Sequence, residues 1–308
     1  MHIRAALLML AVPVAALALP AGGPQVRDPR AFRSGIDITG VTVTVRDADG
    51  HLVAGLTRDD FDVFEDGDPQ MITQFTRERV PVSVGVLVDI SDSMFGRKMD
   101  DARQAVNAFL FEQLDAQDEF FILAFNHRPH VMTTWTHAQD VVEQALGSIK
   151  PTGGTAVYDA LLEALPLMAR RNRERGALLI VSDGADTAST AGLRDVRSAM
   201  RRSQAFVYAI AIDSPGTKAI NRSVNPTTLR EITDESGGRT EVVQSTSEIA
   251  AASARIADEL NHQYVLGYTS SHGADGKFHS IRVKAKNADY RVRARKGYVS
   301  EPGTGPRS

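Results

Sequence analysis

At 308 residues the chain is long enough for one large or two modest domains, and its 43% hydrophobic and 24% charged residues are ordinary for a globular protein. A formal net charge of −3 excludes a global field that would favour nucleic acid or an anionic membrane. The absence of cysteine excludes disulfides, thiolate catalysis and cysteine-type zinc sites.

His2 and Arg4 precede a continuous apolar stretch, 5–19, broken only by Pro13, and small residues follow it. This is the layout of a secretory signal peptide, so 1–21 is expected to be a leader and the protein exported, to a periplasmic or extracellular location. The run is shorter than the roughly 20 residues of a spanning helix, so no stable membrane insertion is expected once it is cleaved. Residues 22–35 are polar and proline-bearing and read as a disordered linker.

An N-terminal β segment, 36–80, comes next. Within 36–46 the residues alternate, with Val41, Val43 and Val45 on one face and Thr42, Thr44 and Arg46 on the other, the pattern of a half-buried strand. The turn Asp47-Ala48-Asp49-Gly50 predicts a hairpin return over 51–56, and Thr57–Asp60 predicts a capped helical turn. Short strands are predicted at 61–64 and 70–78. The acidic turns Asp47/Asp49 and Asp66/Asp68 lack the twelve-residue calcium pattern and read as solvated turns.

From Pro81 the pattern changes to alternating strands and helices. Strands are predicted at 82–89, 119–126, 176–182, 205–212 and 239–243, with a short antiparallel edge strand at 130–135. Helices are predicted at 98–114, 138–149, 155–171, 193–203, 226–236 and 246–262. Such alternation with short connections implies an α/β domain with a mainly parallel, right-handed sheet. The tail returns to β character, with a strand at 263–269 and a hairpin of 278–286 with 290–298. One face of that hairpin carries Ile281, Val283, Ala285, Val292 and Ala294, and the other Arg282, Lys284, Lys286, Arg291, Arg293 and Arg295. Strands at both ends of the chain need partners, and the economical arrangement is one β-sandwich-like module built from 36–80 and 263–299, beside an α/β domain over 81–262. Residues 300–308 read as a disordered tail. The basic hairpin face reads as protection against edge-to-edge pairing, and His127, His130 and His137 as loop histidines.

The chemistry concentrates in 82–94, VSVGVLVDISDSM. An uncharged β-branched run reads as a strand buried on both faces, and Asp89, Ser91 and Ser93 then stand at its carboxyl end, where open α/β sheets bind ligands. Alternate residues point the same way, so one carboxylate and two hydroxyls can face a common point. Such a set suits a hard cation that keeps waters, and equally suits serines capping the next helix. Two further loops bring a Thr155 hydroxyl, in KPTGGTAVY, and the Asp183 carboxylate, in LLIVSDGAD.

Asp89-x-Ser91-x-Ser93, then Thr155, then Asp183 resemble, in order and type, the metal-ion-dependent adhesion site (MIDAS) of von Willebrand factor type A (VWFA) domains, and the likeness extends over roughly 81–260. The FDVFEDG and LNHQYVLGY segments are similar to those of bacterial exported VWFA-related proteins. The resemblance implies a doubly wound, Rossmann-like sheet and a magnesium ion, or manganese or calcium, held by Asp89, Ser91, Ser93, Thr155 and Asp183. It implies an open coordination position for a carboxylate of a protein partner, with Asp92, Gly154 and Gly184 as ligand-binding residues. The resulting expectation is an exported adhesion or assembly protein, not an enzyme. The alternatives are a metal-dependent hydrolase using the same cation and a structural module of an envelope complex. The hydrolase reading lacks a base placed beside Ser91 or Ser93 by the sequence, and a nucleotide site would need glycines after the first strand, where none occurs before Gly96.

Overall fold

A computed structural model describes residues 38–173, 175–184, 186–203, 205–213, 226–272 and 275–300, so the expected leader, the linker and all but the first residue of the expected tail lie outside the described residues. All described elements belong to the unit Asp37–Ser308. In chain order they are β1 (Ile38–Arg46), β2 (Phe61–Glu65), β3 (Asp68–Gln70), β4 (Ile72–Thr76), β5 (Val82–Asp89), α1 (Arg97–Asn107), β6 (Glu119–Phe125), β7 (Pro129–Val131), α2 (Gln139–Ser148), α3 (Val157–Met168), β8 (Arg175–Ser182), α4 (Leu193–Arg202), β9 (Phe206–Ile212), α5 (Pro226–Ser236), β10 (Thr240–Val243), α6 (Thr246–Asn261), β11 (Tyr264–Thr269), β12 (Phe278–Ala285), β13 (Arg291–Ala294) and β14 (Gly297–Val299).

The central sheet has the order β10-β9-β8-β5-β6-β7, parallel throughout except for the edge strand β7. Its inner strands are apolar runs that carry charge only at their ends, at Asp89, Glu119 and Arg175, because both faces are covered. Val84, Val86 and Val88 of β5 pack with α1, α2 and α6 on one face, and Leu87 packs with α3, α4 and α5 on the other. β5 is joined through α1 to β6 on one side, whereas β8 pairs on its other side. The strand order therefore reverses at β5, and the loops after β5, β6 and β8 open into one crevice. The helix expected over 98–114 continues past α1 as a wider π turn, Ala108–Gln113.

Two antiparallel sheets are built from both ends of the chain, in the orders β13-β1-β11-β4 and β14-β12-β2-β3. They share one core, in which Val41, Val43 and Val45 of β1 meet Phe61, Val63, Leu266, Ile281 and Val283. Three local expectations are corrected. The return strand at 51–56 is reduced to a single bridge, Arg46 to Leu52. The strand expected at 70–78 is divided into β3 and β4, which join different sheets. Likewise 278–286 and 290–298 do not form one hairpin: β14 pairs with the start of β12, whereas β13 crosses to β1. The basic face is divided with it. Arg282 and Lys284 lie over the Phe64 ring, at 5.0 and 5.5 Å from its centroid, and Arg293 donates to the Gly238 carbonyl instead.

Candidate metal centre

The Asp89 side chain closes β5 and has no solvent exposure. Its Oδ1 accepts the Ser91 backbone N–H at 2.9 Å, and its Oδ2 accepts the Ser182 hydroxyl at 2.5 Å. Ser91 Oγ and Ser93 Oγ are 3.0 Å apart. Burial pushes the Asp89 carboxyl up to about 7; the Ser182 bond opposes this and the nearby Asp183 charge adds to it. Asp183, just past β8, is also buried, and its Oδ2 accepts from Lys98 Nζ at 2.9 Å.

The three loops are laced by backbone hydrogen bonds. Asp92 N–H donates to the Gly153 carbonyl and Thr152 N–H to the Ile90 carbonyl, at 2.9 and 2.8 Å, tying the β5 loop to the loop before α3. That loop is held in turn by the one after β8: Thr155 N–H donates to Thr187 Oγ1, and the Thr155 carbonyl accepts from Thr187 and Ala188 N–H. Gly184, at φ +89°, donates its N–H to Ser182 Oγ. At Gly154 a Cβ would stand 3.0 Å from the Ala188 Cβ, so the loops approach there without room for a side chain.

Asp89, Ser91, Ser93 and Asp183 thus share one cluster, and Thr155 stands on a loop bonded to both of theirs. Asp92 is exposed at the rim, followed by Phe95, which is 66% exposed. Sequence reasoning did not single out Ser182 or Lys98. The signal for Lys98 was present: with Arg97 it opens α1, where the helix dipole disfavours cations, so its charge is wanted elsewhere. His137 Nδ1 lies 2.6 Å from the Asp118 carbonyl, and among the described residues it joins no metal-ligating group.

The donor chemistry fits a hard divalent cation. All side-chain donors are oxygens, Asp89 is buried without a cationic partner of its own among the contacts described, and the two hydroxyls converge. A doubly wound sheet with a carboxylate and hydroxyl cluster at its switch point defines an α/β domain with a candidate ligand site. Residues 84–185 match the von Willebrand factor type A domain family. The chain is 27% identical over 136 residues to inter-alpha-trypsin inhibitor heavy chain H2 of Sus scrofa, a match covering 40% of this chain and 14% of that one. With heavy chain H4 of the same species it shares 34% identity over 98 residues, 31% of this chain and 10% of that one. The chain therefore spans only a small part of these relatives. A solved von Willebrand factor type A structure from Catenulispora acidiphila has the same fold, at TM-score 0.51 and 15% identity, covering 89% of this chain and 76% of that one.

Proposed function

We propose that this is an exported binding protein in which a divalent cation, held by Asp89, Ser91, Ser93, Thr155 and Asp183, captures an acidic group of a protein partner. The observation that carries the reading is the fully buried Asp89 carboxylate, set beside a second carboxylate and two convergent hydroxyls at the sheet's switch point. Magnesium, or manganese or calcium in its place, would supply a coordination position for a carboxylate. The protein's own residues fix the charge of the site. With both carboxylates ionised, Lys98 leaves one net negative charge, too little to neutralise a divalent ion, so an added anion is favoured. Ser91 Oγ bonds to Ser93 Oγ and not to an imidazole, which favours binding over turnover. Export is supported by the leader-like sequence at 1–21. Among the described residues no helix is long and apolar enough to cross a membrane.

Water-proton relaxation with Mn²⁺ tests the reading. Chelator-stripped full chain should enhance relaxation on binding Mn²⁺, an Asp-rich or Glu-rich peptide should reduce the enhancement by displacing water, and Asp89→Ala should abolish it. An unchanged response in Asp89→Ala would place the ion elsewhere. Chelator-sensitive turnover of a generic phosphate ester or carboxylic ester would instead establish the hydrolase alternative.

A further inference from the structure

The sandwich carries a second set of metal-ligating side chains, drawn from three places in the chain. Asp66 stands in the turn after β2 at φ +50°, His272 in the loop after β11, and His279 in β12. Asp66 Oδ2 is 2.7 Å from His279 Nδ1 and 3.6 Å from His272 Nε2, and the three donor atoms lie within 4.8 Å of one another. The two imidazoles stack, with ring centroids 4.5 Å apart. Zinc bonds of about 2.0–2.1 Å in a tetrahedral site separate ligand atoms by roughly 3.3 Å, between the two distances observed.

What sets this cluster apart from a chance grouping is how its remaining atoms are held. Asp66 Oδ1 accepts both the backbone N–H and the hydroxyl of Ser280, at 2.7 and 3.0 Å, which leaves Oδ2 directed at the histidines. His279 is buried, and its far nitrogen, Nε2, lies 3.0 Å from Asp275 Oδ1. That oxygen is itself fixed by the Lys277 N–H and the Ser300 hydroxyl, at 2.8 and 2.9 Å. A carboxylate behind a histidine, orienting the ring so that its other nitrogen faces the ion, is the supporting arrangement of zinc ligands. The turn at Asp66/Asp68 is solvent-exposed, as expected, and at Asp66 it is in addition held by these hydrogen bonds.

We propose that Asp66 Oδ2, His272 Nε2 and His279 Nδ1 form a second metal site, of the zinc class, with a fourth position open to water. Two imidazoles and one carboxylate suit zinc or cobalt and not magnesium, whose oxygen-only set lies at the Asp89 cluster. Binding replaces the proton between His279 Nδ1 and Asp66 by the ion and fastens the loop after β11 to the turn after β2. Asp275 acts as the positioning residue behind His279.

Untagged full chain, stripped with chelator, should be titrated with Co²⁺ and followed by visible absorption, with Zn²⁺ added afterwards. One Co²⁺ per chain with the intense bands of four-coordinate nitrogen and oxygen ligation is expected, displaced by Zn²⁺ and indifferent to excess Mg²⁺. Asp89→Ala should leave the signal intact, because the sites are separate. His272→Ala, an exposed position whose loss should not unfold the chain, should weaken binding by at least about a hundredfold, and Asp275→Asn by about 10–100-fold. His272→Ala should also abolish any rise in Tm on adding Zn²⁺. Absence of Co²⁺ and Zn²⁺ binding, or binding unchanged in both His272→Ala and Asp66→Asn, would overturn the proposal.

Discussion

A buried carboxylate beside another carboxylate makes the pH response of the metal-free protein specific in sign. The folded-state value of Asp89, about 7, lies above the ordinary 3.8. Between about pH 4 and 7 the native state therefore holds a proton that the unfolded chain has released, and stability falls as pH rises through that window. The displacement corresponds to a few kcal/mol. Urea unfolding in chelator should show a lower midpoint at pH 8 than at pH 5. Asp89→Asn should flatten that difference, and Mg²⁺ at pH 8 should restore the wild-type midpoint if the ion binds there. Lys98 sets a second response. Its ammonium already bonds to Asp183 Oδ2, so an incoming cation meets one positive charge in place. A unit charge a few ångströms away in a partly buried site contributes about 3 kcal/mol at an effective dielectric constant near 20. Lys98→Met should accordingly tighten Mg²⁺ binding by about tenfold or more by calorimetry; unchanged or weaker affinity would show that the ammonium does not oppose the ion.

At the scale of elements, the close fit of β5 against its neighbours is what holds the site loops in place. A Cβ at Gly85 would stand 2.3 Å from Phe121 Cζ and 2.6 Å from Leu178 Cδ2. Phe121 has little freedom to withdraw, because its ring meets Trp135 edge-on at 4.8 Å and the side chain is buried. Gly85→Ala should cost about 1–3 kcal/mol of stability and lower Tm by several degrees, measured by calorimetry. The parallel strands themselves were legible in the sequence, since burial on both faces requires uncharged runs such as 82–88 and 206–212, and the helix spacings located α1 to α6 within a few residues. Period-two alternation tells which face of a strand is buried but not which sheet the strand joins. That is why 290–298 read as one strand although β13 and β14 belong to different sheets. The candidate site was legible in the close-set Asp89, Ser91 and Ser93, and Thr155 and Asp183 could be added because each stands in a loop whose residue type and order match the family pattern. The Lys98–Asp183 and Asp66–His279 contacts join residues 85 and 213 positions apart, with no local pattern to announce them.

Across the whole molecule, the α/β layer and the sandwich are joined through buried charge. Glu259, on α6, has no solvent exposure; it accepts from Arg46 of β1 at 2.7 Å, and Arg239 lies 3.7 Å from the same oxygen. Tyr208 of β9 donates to its other oxygen at 3.4 Å and accepts from Gln263, while Arg175 of β8 bonds to Gln263 and to the Leu260 carbonyl. The seam also lacks space. At Gly237, φ +89°, a Cβ would meet the Ala294 backbone at 2.6 Å, and at Gly238 it would meet the Val207 carbonyl oxygen at 2.1 Å. α5 therefore ends where only glycines allow β9 and β13 to close around it. With charge and backbone both interlocked, the two layers should unfold together. Removing one partner of a buried ionic network leaves the others unpaired, which costs about 3–5 kcal/mol. Glu259→Ala should therefore lower Tm by about 6–15 °C, and Glu259→Gln, which retains an acceptor of the same shape, by less. Calorimetry checks the coupling as well as the cost. A single transition in the wild type that divides into two in Glu259→Ala would show that this network makes the layers one cooperative unit. If the variant keeps one transition with the wild-type Tm, the network contributes little and the packed glycine seam holds the layers together by itself.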